Sequence, residues 1–482
     1  MKTLFAALLT LALPLRAAWP CAGGNALHNG MGDVTGPDEP EVLWQGTTFN
    51  TLFGCQIYIW NDYLATMRFQ TVNVSPTVVY DLETGQELWN LDLTGPNSRT
   101  MPIGFRDGAL YIVNYQENGG GDTVYAYDPA TGVMLWKADA LVRFSIAHMA
   151  SFTSEGDLVL PSNTHVHRID RASGATVWST PRNIPNTGAE YLCVTEDRVY
   201  GFEGFLNTDK KLVAYDLATG QKLYETAALS GHGDQEVPLM ADGQGRVFVI
   251  RDGTGEVRAY EDTGSGFTLI WTAATATAAD GVGSTANFGA GPDGTLYFVG
   301  ASGSTLVRLD PNTGAVLNES PVLAENMDPR ITVAVDGTLF VTDGIAAGGR
   351  LHALSPDLDV LWQESFPFNY YSGPALGYPG YLAMTGNGTN LVVYKAQGAG
   401  TGPGSPSGNL AVFPNPVSTV VHVQGTVEGT NLRVLDTAGR TVLTATGSHE
   451  LTLDVSGLPA GVYTVLAEHA GEIESRRVVV VR

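Results

Sequence analysis

The chain is poor in the residues that most directly announce a chemistry. Three cysteines occur in 482 residues, Cys21, Cys55 and Cys193, and none stands at the short spacing of a zinc ligand pair. Basic side chains are scarce: 26 Lys and Arg stand against 49 Asp and Glu, and a formal net charge of -23 repels phosphate backbones and anionic membrane surfaces. Nucleic acid is thereby excluded as a partner, and the acidity reads as the solubility device of an exported surface protein. Long apolar runs are missing as well. The run from Leu4 to Leu15 falls well short of the ~20 residues that cross a bilayer as a helix, and no other segment reaches that length, so no transmembrane helix is expected. The sequence also lacks a serine-nucleophile elbow, a metalloprotease helix motif and a phosphate-binding loop.

Turns and short strands are what it has in plenty, with 58 glycines and 25 prolines, while charged residues make up 16% against a usual ~25%. Lys2, the apolar run behind it and the small residues Ala17 and Ala18 have the three-part shape of a secretory signal, assigned to residues 1–18. Cys21 follows Ala-Trp-Pro, not a small-residue box, so no lipid anchor is expected there. After export, Cys21 and Cys55 form the favoured disulfide, with one thiol left over.

A phrase recurs along the chain: "DLETGQELW" at 81–89, "DPATGVMLW" at 128–136 and "DRASGATVW" at 170–178. Aligned on its last residue, the ladder runs Trp44, Trp89, Trp136, Trp178, Tyr224, Trp271, Asn318, Trp362, at intervals of 42 to 47 residues. Between phrases lie short apolar runs such as "RVFVI" and "TLYFVG", punctuated by Asp-Gly turns at Asp107, Asp242, Asp293 and Asp336. Four short strands per period is the pattern of a β-propeller blade. The phrase itself reads as structural. Asp81, Asp128 and Asp170 open a tight turn, Gly85, Gly132 and Gly174 take its left-handed position, and Trp89, Trp136 and Trp178 supply apolar wedges between blades.

The ends complete each other. Residues 363–396 supply three strands without a closing phrase, and "EPEVLWQ" at 39–45 supplies a closing strand with no blade before it. Joined, they make a last blade from both termini and remove the free edges of the ring. The expected fold is all-β: an eight-bladed β-propeller over residues 19–397, with seven as the alternative count, closed by the N-terminal strand, then a linker at 398–409 and a small antiparallel β-sandwich at 410–482.

The repeat D-x-x-T-G-x-x-x-W at this spacing closely resembles the tryptophan-docking repeats of the pyrroloquinoline quinone (PQQ)-like propellers, over residues 40 to 397. That family includes quinone-dependent alcohol dehydrogenases and also non-catalytic scaffolds of outer-membrane barrel assembly, so the resemblance implies the fold and leaves the function open. Its dehydrogenases hold the quinone beside a disulfide of adjacent cysteines, with calcium bound by Glu, Asn and Asp. This chain has no adjacent cysteines and no matching acidic set. No cofactor is expected; calcium is kept as a candidate, and PQQ is disfavoured.

Loops entering the innermost strands converge on the mouth of a propeller channel. They bring candidate ligand contacts at Arg99, His148, Glu190, Asp234, Glu236, Asp328, Arg330 and Tyr371, a mixed set able to meet a sugar, a peptide or a cation, or simply to face channel water. His165 and His167 stand two apart on one strand face, a spacing that chelates metal but lacks a visible third ligand. No residue is assigned a catalytic or metal-binding role.

The tail has its own signature. "VFPNP" with Pro414, Asn415 and Pro416, "VLDTAGRTV" with Gly439, and "LDVSGLPAGVYTV" with Gly457, Leu458, Gly461 and Tyr463 closely resemble, in order and spacing, the type A C-terminal sorting domain of the type IX secretion system of Bacteroidetes. The resemblance implies passage through the periplasm and across the outer membrane, with the secretion machinery as a partner. The combined expectation is a secreted or cell-surface, monomeric propeller acting as a non-catalytic scaffold for a surface protein or glycan. The alternative is a secreted hydrolase or lyase acting on a polymer at the channel mouth, with a quinone-dependent dehydrogenase behind it.

Overall fold

In a computed structural model the chain divides into two compact units, Met1–Gln397 and Gly398–Arg482. The structure describes residues 18–46, 57–68, 75–93, 98–116, 123–142, 150–185, 192–205, 208–230, 239–251, 254–276, 288–325, 327, 330–343, 349–365, 374–377, 380–385 and 391–396 of the first unit. In the second it describes 411–413, 417, 419–435, 441–459, 461–469 and 472–480.

The strands of the first unit form eight antiparallel sheets, seven built on four consecutive strands and the eighth on three, with two additions from the N-terminal region. Within each sheet the second and third strands are largely buried, as in Leu158–Pro161 or Leu296–Val299, while the fourth strand faces solvent over much of its length. Both faces of a middle strand are covered by neighbouring sheets, so a continuous apolar run replaces the usual alternation. The innermost strands are Tyr58–Trp60, Ser98–Arg106, Ser151–Phe152, Cys193–Val194, Leu239–Ala241, Gly289–Ala290, Ile331–Val333 and Ala375–Leu376, all but the second of them short. The last sheet is a composite, because Pro40–Gly46 pairs antiparallel with Leu391–Ala396 and sets Trp44 opposite Val393. The first sheet gains a fifth strand, Ala18–Trp19, alongside Tyr58–Trp60.

One bond recurs at the seams. The indole Nε1 of Trp89 donates to the carbonyl of Pro129 in the next sheet at 2.7 Å, Trp136 to Arg171 at 2.9 Å, Trp178 to Leu217 at 2.9 Å and Trp271 to Pro311 at 2.9 Å. Trp362 donates to Pro37, just before the strand that completes the eighth sheet, and Trp44 of that strand donates to Leu82 of the first. The bonds therefore lead around the sheets and back to the start. The turns that receive Trp44, Trp89 and Trp136 are each capped by their own Asp: Asp81 Oδ1 accepts from Thr84 N at 2.8 Å and Thr84 Oγ1 at 2.7 Å, and Asp128 and Asp170 do the same with Thr131 and Ser173. Gly174 sits at φ +74°, and a Cβ there would fall 2.5 Å from Trp136 Cε3, so the position needs glycine both for its backbone and for the ring that lies on it.

Cys21 is a buried free thiol, as is Cys193, so the expected Cys21–Cys55 disulfide is not made. Cys55 itself lies outside the described residues. Desolvation pushes the Cys21 thiol up to about 12, which suits a small apolar packing residue and not a reactive one.

The second unit contains Ala411–Phe413, Val420–Leu435, Thr441–Asp454, Gly461–His469 and Glu472–Val480, all antiparallel where paired, around a core that includes Val421, Val423, Leu432, Val434, Leu453 and Val465. The short apolar runs of the tail merge into few, long strands. "TVVHVQG" and "NLRVLD" join through register shifts between Gln424 and Thr430, and "TVLTATG" joins "LTLDVSG" as the partner strand. Polarity alternates across such a shift as it would across a turn, which is why the pattern reads as a break. Leu458 and Tyr463 are buried, and Tyr463 Oη donates to the Pro459 carbonyl at 2.9 Å. Gly457 follows the strand that ends at Asp454, and Gly461 opens the next. Pro414, Asn415, Pro416 and Gly439 lie outside the described residues.

Candidate functional site

The inner strands of the first unit define a channel with two ends: a mouth where they begin and a floor where they finish. The floor is occupied by the chain's own residues 18–36. After Ala18–Trp19 pairs with the first sheet, Phe105 N donates to Pro20 O at 2.7 Å, Val194 N to Ala26 O at 2.8 Å, Ala241 N to Leu27 O at 3.0 Å, Ala290 N to Asn29 O at 2.7 Å and Val333 N to Gly30 O at 2.7 Å. Gly380 N in the eighth sheet takes Thr35 O at 2.8 Å. The third sheet is reached by a side chain: His28 Nε2 lies 2.6 Å from Ser151 Oγ, whose hydroxyl donates to Leu192 O, so the ring nitrogen is the donor to serine. Burial pushes the His28 imidazole down to about 4, which keeps it neutral near pH 7.

At the mouth, the second strands end in polar side chains held close to the sheets. Asn114 Nδ2 donates to Leu93 O at 3.0 Å, Arg251 Nη2 to Leu229 O at 2.9 Å, and Glu203 accepts from Lys222 Nζ at 3.1 Å and Tyr215 Oη at 3.2 Å. In the third sheet Ser162 Oγ lies 3.2 Å from His167 Nε2; burial, then His165 and Arg182, push His167 down to about 3. The equivalent pair in the seventh sheet is Asp343 and His352, each 1% exposed at the side chain, with Oδ2 and Nε2 3.9 Å apart. Asn114 and Arg251 thereby tie the segments entering the inner strands to the second strands of their sheets, while Ser162 also accepts from His165 N at the turn between second and third strands. Among the described residues no three His, Cys, Asp or Glu side chains converge as a metal site would require.

Of the contacts expected at the mouth, Arg99 is half-buried in Ser98–Arg106 opposite Tyr115. Arg330 is 7% exposed; its N–H donates to Thr342 Oγ1 at 3.0 Å and its carbonyl accepts from Thr342 N at 3.1 Å. The two lie in different sheets and are not brought together by any bond described here. His148, Glu190, Asp234, Glu236, Asp328 and Tyr371 lie outside the described residues. His165 and His167 do share a face, with rings stacked 5.7 Å apart, but Ser162 and Thr164 hydroxyls occupy a nitrogen of each. Sequence reasoning passed over two features. The polar strand ends were visible, as in Arg251 after "VFVI" and Asp343 after "LFVT", and the floor segment, rich in Gly, Ala and Asn, shows no strand pattern.

Residues 76–316 match the family described as outer membrane protein assembly factor BamB, and residues 411–481 match the secretion system C-terminal sorting domain. Among solved structures, BamB from Moraxella catarrhalis is similar at 14% identity and a TM-score of 0.53, over 74% of this chain and 100% of that one. A europium-containing methanol dehydrogenase is similar at 11% identity and a TM-score of 0.55, over 79% and 98%. At these identities the likeness is one of fold. No curated protein matches the chain by sequence. The sorting domain marks the protein for export to the cell surface or beyond it, and no helix among the described residues is long and apolar enough to cross a membrane.

Proposed function

The chain belongs to the BamB-type, PQQ-like propeller family and carries a type IX sorting domain, and on that premise we propose that its exported propeller is a binding scaffold without catalysis, meeting a surface protein or glycan at the channel mouth. The observation that carries this reading is where the recurring polar residues are spent. Asp81, Asp128 and Asp170 cap their own turns, the tryptophans dock onto carbonyls of the next sheet, and Asn114 and Arg251 bind backbone at the mouth. A repeated set consumed in this way leaves the variable mouth loops as the place where specificity resides.

We further propose that the propeller holds no quinone. The family's dehydrogenases use adjacent cysteines, whereas Cys21 lies on the floor segment and Cys193 in an inner strand, its Sγ 3.3 Å from Leu27 O and 3.2 Å from Leu239 O. The residues present do not fit that cofactor. Calcium at the mouth is a separate proposal, on the acidity of Asp234, Glu236 and Asp328.

The test is metal and quinone analysis of the purified mature chain, with thermal-shift screening against glycans, peptides and calcium. A ligand-specific rise in melting temperature without turnover supports the scaffold. Stoichiometric quinone, or polymer cleavage abolished by Asp234→Ala, overturns it.

A further inference from the structure

The floor segment makes contacts that a linker has no need to make. It meets the inner strands mainly through its backbone, accepting N–H bonds from Phe105, Val194, Ala241, Ala290 and Val333, each near the end of an inner strand. No further strand pairs with those ends on the channel side, so the segment takes the place that water would otherwise fill. Its side chains are small wherever the walls are close. Gly30 lies at φ +70°, and a Cβ there would fall 2.7 Å from both Phe288 O and Ile331 O. A Cβ on Gly36 would fall 2.1 Å from Phe340 Cζ. The anchors are equally specific: Trp19 is 3% exposed, packed in the same core as Ile59, Leu376 and Leu382, and His28 reaches Ser151. At its far end the segment runs into Pro37, the acceptor for Trp362, and then into the strand that completes the eighth sheet.

We propose that the channel floor is a binding site for a turn-forming peptide rich in small residues, filled in this chain by its own residues 19–36, and that seating this peptide is what locks the ring. The channel is thereby closed at the floor, and the mouth is its single entrance. The recognition joins the peptide's backbone carbonyls to the N–H groups at the inner-strand ends, with those bonds giving affinity and close walls selecting glycine. Covalent linkage to the closing strand gives the peptide a high local concentration at the floor.

The experiment is to insert a site-specific protease sequence between Asp38 and Glu39, both exposed, in the full mature chain, and to cut it after folding. The freed 19–38 peptide is expected to co-elute with the remainder of the chain on a native sizing column, and to leave it only in denaturant, with loss of the cooperative melt on its removal. In the same background Gly30→Val is expected to release the peptide roughly tenfold faster or more, the size implied by a strained left-handed residue. Because the chain folds before it is cut, a failure to fold does not cloud the wild-type result. Prompt release of the wild-type peptide with an unchanged melt overturns the proposal, as does equal retention of the Gly30→Val peptide.

Discussion

Six seams of the first unit are closed by tryptophan and two are not, and the two exceptions differ from each other. Where tryptophan is present, its N–H reaches a backbone carbonyl, and in the seams that receive it on Gly85, Gly132, Gly174, Gly220 or Gly314 its ring lies against that glycine. Between the fourth and fifth sheets the position is Tyr224, whose hydroxyl donates to Asp262. That carboxylate also accepts from Tyr200 Oη at 2.7 Å and Gly264 N at 2.8 Å, while the Phe267 ring meets Tyr224 edge-on at 5.3 Å. Between the sixth and seventh sheets the position is Asn318, which donates from Nδ2 to Asp357 O, and the aromatic area is lost altogether. Arg308 bridges Asp293 and Asp357 there, and Tyr297 Oη donates to Pro356 O at 2.8 Å. The receiving turn holds Leu358 at φ +68°, a conformation that costs a non-glycine residue about 1–2 kcal/mol. A seam therefore needs a donor at this position, and area can be exchanged for a partly exposed polar network of smaller net worth.

The largest effect should come from removing the area. Trp178→Ala deletes a nearly buried ring and its bond to Leu217 O and should cost about 3–5 kcal/mol in denaturant unfolding; a loss below that of Asn318→Ala would break the distinction between the two kinds of seam. Tryptophan seams donate to backbone carbonyls, so acid lability between pH 7 and 4 should arise at buried imidazoles instead, His28 at the floor and His167 at the mouth. Burial holds His28 down to about 4 and, with His165 and Arg182, holds His167 down to about 3, so the unfolded chain takes each proton first. Each contribution is complete above about pH 6.5 and falls as the pH drops toward 4, by roughly 3 kcal/mol apiece. Unfolding free energies measured across this range should lose about half of that slope in either His28→Gln or His167→Gln.

The same residues explain what could be read from sequence. Tryptophan, glycine at positive φ and a capping aspartate have few substitutes, so the phrase at 81–89, 128–136 and 170–178 exposes the repeat and with it the propeller. The tail was legible for the same reason, through its proline and glycine motifs. The joining of its strands was not, because the register shifts between Gln424 and Thr430 leave the alternation of polarity unchanged. The floor was hidden too. Its bonds are made by backbone, and backbone donors and acceptors are common to every sequence; only Gly30 and Gly36 hint at walls, and a linker is also rich in glycine. At the mouth, Arg99 stands in Ser98–Arg106 and Arg330 just before Ile331–Val333, and the other expected contacts lie outside the described residues.

Smaller effects sharpen the comparison. Gly174→Ala must accommodate both φ +74° and the Trp136 ring 2.5 Å from the new Cβ, and should cost about 1–3 kcal/mol. The same change at Gly264, φ +80° but with nothing within 4 Å, meets only the backbone term and should cost about 1–2 kcal/mol. The difference between the two, read from paired chemical melts, isolates what the ring adds. Tyr224→Phe keeps the area and removes only the hydroxyl. Asp262 retains Tyr200 and Gly264 as donors, so its carboxylate is not orphaned, and the loss should be about 1 kcal/mol. Asn318→Ala should be smaller still: the Asp357 carbonyl it leaves is exposed to water, and Arg308 still spans Asp293 and Asp357. If Asn318→Ala instead matched Tyr224→Phe or exceeded it, the donor bond would hold this seam and the arginine network would be ornament, which reverses the ranking of area over hydrogen bonding on which the other seams rest.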